Sequence, residues 1–177
     1  EGISRSLEHD EVVTFREYAS RPWSAIVTSY EAPNNHILHS LCVKLSTGLF
    51  GPSEWATRLP AALAGCLGIW AIYLLGLKFS GSRPVALLAS CLLSLSSAHI
   101  HYARQARGYT LLVLLCIAFS LCMYKASELD RRAWKWWCAA VVSGFLSVYT
   151  IPSAIYLVVA VVLGTGYQGC HVVDLAQ

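Results

Sequence analysis

Residues 59–77 read LPAALAGCLGIWAIYLLGL, without one charged side chain. A bilayer core of about 30 Å takes roughly 20 residues of helix, so this run is long enough to cross it. Working outward, Pro84–Ala103 is also uncharged and closes on the polar string HIHYA, and Gly108–Tyr124 is uncharged again. Trp136–Val173 is the fourth such run, too long for a single span, and it holds Pro152, which removes a backbone donor and breaks a helix. It reads as two short spans turning at Thr150–Pro152, with one long kinked helix as the alternative. The expectation is an all-α fold: a polytopic transmembrane helix bundle of about five helices near 59–78, 84–103, 107–125, 134–149 and 152–167. It occupies residues 58–177 and follows an outer-face loop over 1–57 that carries interfacial amphipathic helices.

Composition agrees with that expectation. Of the 177 residues 56% are hydrophobic and only 13% charged, whereas a soluble domain is about 25% charged. Disorder is excluded, because it requires low hydrophobicity and high net charge. A net charge of +3 is too small to mark a nucleic-acid-binding surface. The placement of charge says more than its total. Seven acids (Glu1, Glu8, Asp10, Glu11, Glu17, Glu31, Glu54) lie in the first 54 positions, and three (Glu128, Asp130, Asp174) in the rest. The seven cysteines form no CxxC pair and mostly sit inside apolar runs, where cysteine acts as a small hydrophobe.

Basic residues orient the bundle. The connection at 78–83 carries Lys78 and Arg83, and the one at 125–135 carries Lys125, Arg131, Arg132 and Lys135. The positive-inside rule makes that side the cytoplasm and places residues 1–57 and the 99–107 connection outside. Arg104 and Arg107 then sit on the disfavoured face, and binding an anion is a reason for them to be there. The chain has no signal peptide and begins on Glu1, and an outer first third implies an upstream span, so it reads as a fragment of a larger protein.

In the first third, Val12, Phe15, Ala19, Trp23, Ile26, Val27 and Tyr30 recur at helical spacing, interrupted by Pro22. Leu38, Leu41, Cys42, Leu45 and Leu49 repeat the pattern over 36–50. Such helices are too polar to span. They fit the plane of the interface, or pack on the bundle.

Three groups carry chemistry. Asp10 and Glu11 are adjacent carboxylates that can supply a general base or bind a divalent metal, or simply open a helix. Asn34, Asn35 and His36 offer two amides and an imidazole after Pro33, or form an ordinary turn. The richest group is SSAHIHYARQARGY, 96–109, with His99, His101, Tyr102, Arg104, Gln105, Arg107 and Tyr109. Arginine recognises phosphate through bidentate charge-assisted bonds, and a phosphate at this depth belongs to a lipid headgroup or a lipid-linked substrate. His99 and His101 at i, i+2 suit metal ligation on a strand rather than a helix.

The order HDE, then PNNHILHSLCVKLSTGLFGPSEWATRLPAALAG, then HIHYARQARGYTL resembles the polytopic glycosyltransferases of the GT-C fold. It is most similar to the bacterial branch related to dolichyl-phosphate-mannose–protein mannosyltransferases and the aminoarabinose transferase of lipid A. The similarity covers about residues 8–165, the N-terminal half of a typical member. It implies transfer of a hexose or pentose from a polyprenyl-phosphate carrier to a protein, lipid or glycan, on the outer face of a bacterial plasma membrane. It also implies an acid in the first outer loop beside the acceptor: here Asp10, with Glu11 next to it. Arg104 and Arg107 become the donor-phosphate ligands, with Arg58 in reserve. Asn34, Asn35, His36, His101, Tyr102 and Tyr109 position the substrates. Gln105 stands where many relatives carry an acid. A divalent metal is the one cofactor left open. The competing readings are a non-catalytic transporter or flippase of a lipid-linked anion, which would want ionisable groups inside the spans, and a structural membrane subunit.

Overall fold

The computed structural model describes residues 11, 12, 14, 16, 20–28, 36–128 and 133–174, with side chains to 165. The described helices are α1 (Trp23–Thr28), α2 (Ile37–Phe50), α3 (Glu54–Ser80), α4 (Arg83–Leu95), α5 (Ser97–Ala103), α6 (Tyr109–Ser127), α7 (Ala133–Thr150) and α8 (Ala154–Asp174). Among the described residues there is no strand.

Local signals set the boundaries of the longest helix. Ser53 caps α3 by accepting from the Ala56 amide, Glu54 stands in the positive first turn, and Lys78 in the negative last turn. Gly81 ends it with φ 65°, a left-handed turn that favours glycine, its amide donating to the Leu77 carbonyl. Both α3 and α6 are long and apolar enough to cross a membrane.

The expected single helix over 84–103 is instead two, α4 and α5, bent by 62°. The cause is Ser96. It adopts an extended conformation, and its hydroxyl accepts from the His99 amide as the cap of α5. A serine side chain competes with the backbone for such donors and so favours caps over helix interiors. Counted as one bent span, α4 and α5 make a third candidate crossing. The tail of the expected five-helix series is present as α7 and α8, separated by a break at 151–153. Neither reaches the length and apolarity of a span within the described residues, because α7 opens on AWKWW and the described apolar part of α8 is only Ala154–Thr165.

Packing runs inside out relative to a soluble protein. On α3, Ala56, Thr57, Ala61, Ala64, Gly65, Gly68 and Ala71 are buried, while Leu63, Leu67 and Trp70 face outward. Small residues let membrane helices approach closely where no hydrophobic force drives association. A Cβ at Gly144 would stand 3.2 Å from the Phe119 ring, so glycine lets α7 close on the Phe119–Met123–Ala140 core. The same inversion holds in α2. Its inward face is Ile37, His39, Ser40, Val43 and Ser46, whereas Leu45 and Leu49 of the leucine stripe are exposed.

The bundle has two distinct ends. At one, Lys78 pairs with Glu128 at 3.9 Å and Phe79 packs on Tyr124, which brings the C-terminal ends of α3 and α6 together. At the other, the starts of α3 and α6 meet α2, α5 and the last turn of α7. The Thr110 hydroxyl donates to the Ala61 carbonyl at 2.8 Å, and the Tyr149 hydroxyl to the Val27 carbonyl at 3.1 Å.

Candidate functional site

That second end collects the polar side chains, and a buried ion pair organises it. Arg58, one turn into α3, donates from Nε to Glu11 Oε1 at 2.8 Å and from Nη2 to Glu11 Oε2 at 2.5 Å. The Ala106 amide also donates to Glu11 Oε1, at 2.7 Å. Glu11 is 1% and Arg58 3% exposed. One carboxylate thereby ties the first described residues to the start of α3 and to the turn at 104–108. The bidentate fork is the strong form of this pairing, and it fixes orientation as well as distance. Arg58, expected in reserve for a donor phosphate, therefore spends Nε and Nη2 on Glu11. Glu11, expected beside Asp10 in catalysis, has the position of an anchor.

The turn itself follows from close approach. A Cβ at Gly108 would stand 2.9 Å from His36 Cβ and 3.1 Å from Thr150 Cγ2. Only glycine admits the start of α2 and the end of α7 there. The aromatic groups form a chain: His101 on Tyr102 at 5.3 Å, Tyr102 on Tyr109 at 4.4 Å, and Tyr109 on His36 at 5.2 Å. The Arg107 guanidinium lies 5.6 Å from the centre of the Tyr109 ring, a cation–π contact. Arg104 caps α5 and is exposed. The structure thus brings His36, His101, Tyr102, Arg107 and Tyr109 into one neighbourhood, with the Glu11–Arg58 pair joined to it through Ala106. Asp10, Asn34 and Asn35 lie outside the described residues.

His99 takes no part in this row. Its Nε2 donates to the Gly65 carbonyl at 3.2 Å and holds α5 against α3. Among the described residues no three of His, Cys, Asp and Glu are grouped to hold a metal ion.

His39 is the residue that sequence reading missed. It is fully buried, and neither ring nitrogen has a hydrogen-bond partner; His36 Nε2 is in the same state. Burial lowers the His36 pKa, a backbone hydrogen bond with Thr150 raises it, and the Arg107 charge lowers it. Burial, and then the neighbouring His36, push His39 down to about 3. Both imidazoles are thus held neutral. The signal that could have found it was the HxxH repeat of His36 and His39, one turn apart.

An unsatisfied buried polar group costs about 1–3 kcal/mol. His39→Leu is therefore expected to raise stability by about 1 kcal/mol in thermal or denaturant unfolding of the purified protein. The unfolded chain binds a proton at His39 as pH drops below its ordinary 6.5, whereas the folded chain does so only near 3. Stability from this residue is thus complete above about pH 6.5 and is lost as pH falls toward 3, by up to about 1.4 kcal/mol per unit. The leucine variant should show a shallower acid limb; an unchanged limb would remove His39 from that role.

A helical bundle with an inside-out apolar surface, and with arginines, tyrosines and histidines gathered at one end, defines an integral membrane protein with a polar site at that end. Comparison with known proteins gives the family. A sequence profile of the dolichyl-phosphate-mannose-protein mannosyltransferase family matches residues 33–168. The chain belongs to that family, membrane glycosyltransferases of the GT-C type that use lipid-linked sugar donors. Neither the curated proteins nor the solved structures contain a match to this chain.

Proposed function

We propose that the protein transfers a sugar from a polyprenyl-phosphate donor to an acceptor hydroxyl at the end of the bundle that carries the 104–108 turn. The observation that carries this reading is the Glu11–Arg58–Ala106 clamp, which fastens the acid-bearing first segment to the arginine-bearing turn. Asp10, one residue from the clamp in sequence, is the general base. It takes the proton of the acceptor hydroxyl as the oxygen attacks the anomeric carbon. The bond from that carbon to the phosphate oxygen breaks, its electron pair stays on the phosphate, and the anomeric centre inverts. Arg107 and Arg104 stabilise the charge on the departing lipid phosphate. His36, Asn34, Asn35, His101, Tyr102 and Tyr109 orient sugar and acceptor, and Glu11 and Arg58 position the rest.

The multi-pass arrangement, with this end on the outer face of a bacterial plasma membrane, follows from the positive-inside pattern at 78–83 and 125–135. A transporter reading is disfavoured because ionisable groups gather at the two ends and not along the spans.

The test is transfer by the whole protein, as its gene encodes it, reconstituted with a panel of polyprenyl-phosphate sugars and scored for acceptor-linked label. Label passing from at least one donor supports the reading; donor movement across the bilayer without transfer supports the transporter. Arg107→Ala should weaken donor use about 10–100-fold in kcat/KM, the worth of a lost charge-assisted contact. Unchanged kcat/KM would take Arg107 out of the phosphate site.

A further inference from the structure

At the end of the bundle away from the 104–108 turn, α7 opens on AWKWW, residues 133–137. Two lysines at this end are backed by indole rings. Lys125, in the last turn of α6, lies 4.1 Å from the centre of the Trp136 ring, and Lys135 lies 5.9 Å from the centre of the Trp134 ring. A cation–π contact holds an ammonium in place without neutralising it, and the N–H donors that do not face the ring can still meet an anion. Glu128, just beyond α6, pairs with Lys78 at 3.9 Å. Among the described residues neither Lys125 nor Lys135 is in an ion pair.

Further along α7 the surface is hydrocarbon. Trp134, Trp137, Val141 and Phe145 follow one another at spacings of three and four, and all four are exposed. Trp137, Val141 and Phe145 also form one wall of a cleft of about 650 Å³ whose other walls belong to α6 and α8. Its two hydroxyls are satisfied within their own helices. Ser127 Oγ donates to the Tyr124 carbonyl at 2.7 Å, and Thr165 Oγ1 to the Val161 carbonyl at 3.0 Å. The cleft therefore offers carbon to an occupant. Neither lysine lines it. Both stand at the level of its mouth, Lys125 next to Ala126 and Lys135 two residues before Trp137.

Tryptophans at the ends of apolar helices sit at headgroup depth in a bilayer, and basic residues there attract anionic headgroups. A soluble phosphate compound would leave the cleft unused, and a zwitterionic lipid sets its own ammonium against the two lysines. We infer that this end of the bundle seats an anionic phospholipid of the surrounding bilayer, with its headgroup at Lys125 and Lys135 and one acyl chain in the cleft between α6, α7 and α8. The seat is at the far end from the proposed transfer site and does not depend on it. Its occupant is a structural lipid, filling the space between α7 and α8 below the break at 151–153 that joins them.

The experiment titrates the whole protein in nonionic detergent with dioleoyl phosphatidylglycerol and with dioleoyl phosphatidylcholine, the same chains under an anionic and a zwitterionic headgroup. Bound lipid is counted by native mass spectrometry. Wild type should hold phosphatidylglycerol about 10-fold more tightly, and Lys125→Ala combined with Lys135→Ala should remove that preference, the worth of two ammoniums near an anionic headgroup. Arg83→Ala takes a cation from the same end but from α4, which packs on α3 and α5, and should leave both lipids as in wild type. Val141→Trp and, separately, Val162→Trp fill the cleft from two walls; both positions are exposed, so neither change disturbs the core. Each should weaken phosphatidylglycerol about 10-fold as the apolar contact is lost.

Equal affinity of wild type for the two lipids would overturn the inference, as would an undiminished preference in the double lysine variant. A loss in Arg83→Ala equal to that in the lysine variant would overturn it as well, because it would show a diffuse attraction of the whole end and not a seat. Wild-type affinity in both tryptophan variants would take the acyl chain out of the cleft and the assignment with it.

Discussion

Glu11→Gln is expected to destabilise the fold by about 3–5 kcal/mol, the largest stability effect of any single change at this end of the bundle. The reason is asymmetry. The pair is almost completely buried, with Arg58 donating twice to Glu11 and the Ala106 amide donating to the same carboxylate. Removing one partner takes from a buried charge the bidentate contact that faces it, which is far more damaging than losing the net worth of the pair. Glutamine preserves shape and one acceptor oxygen but cannot answer the guanidinium. Arg58→Lys should also fail, because an ammonium cannot reproduce the planar fork. The double change Glu11→Leu with Arg58→Met should recover most of the loss, since it removes both charges of the pair at once. Thermal unfolding of wild type and the three variants in one detergent reads all of this. A Glu11→Gln protein as stable as wild type would show that the carboxylate holds nothing together.

That pair also shows why part of this molecule was legible in the sequence and part was not. The helices α3 and α6 were legible because a helix long and apolar enough to cross a membrane needs an unbroken apolar run, and 59–77 and 108–124 supply it directly. The start of α3 was legible through Ser53 and Glu54, local signals confined to one turn. The bend at Ser96 was harder: hydropathy continues through it, no proline marks it, and only the doubled serine with a polar string after it hints at a cap. The stripe over 36–50 left α2 open between the plane of the interface and packing on the bundle; in the structure Leu45 and Leu49 turn outward while His39, Ser40 and Ser46 turn inward. The partnership of Glu11 and Arg58 had no local signature. They are 47 residues apart, and nothing in the spacing of one announces the other. The arginine–tyrosine cluster at 102–109 was legible because its members lie close in sequence. The row His36–Tyr109–Tyr102 joins that cluster to α2 only through the approach that Gly108 permits.

Asp10→Asn should reduce sugar transfer by about 10²–10⁴-fold, the usual contribution of a positioned general base, while leaving unfolding temperature, membrane insertion and donor binding as in wild type. The adjacent acids thus carry opposite signatures. Glu11 holds the clamp, so its loss moves stability first and activity as a consequence; Asp10 is proposed to hold a proton, so its loss moves activity alone. Asparagine is the right substitution because it keeps size and hydrogen-bonding capacity and removes only basicity. The pH profile adds a second readout. Transfer by wild type should fall on the acid side as the carboxylate takes up a proton, and the residual activity of Asp10→Asn should lack that limb. Asp10→Glu keeps the base but moves it by one methylene, so it should retain the limb at a reduced rate. Full transfer by Asp10→Asn would end the assignment of Asp10 as base. A matching loss of stability in that variant would instead make Asp10 a second member of the clamp, and the search for the base would pass to Asn34, Asn35 and His36, of which only the imidazole of His36 offers a basic nitrogen.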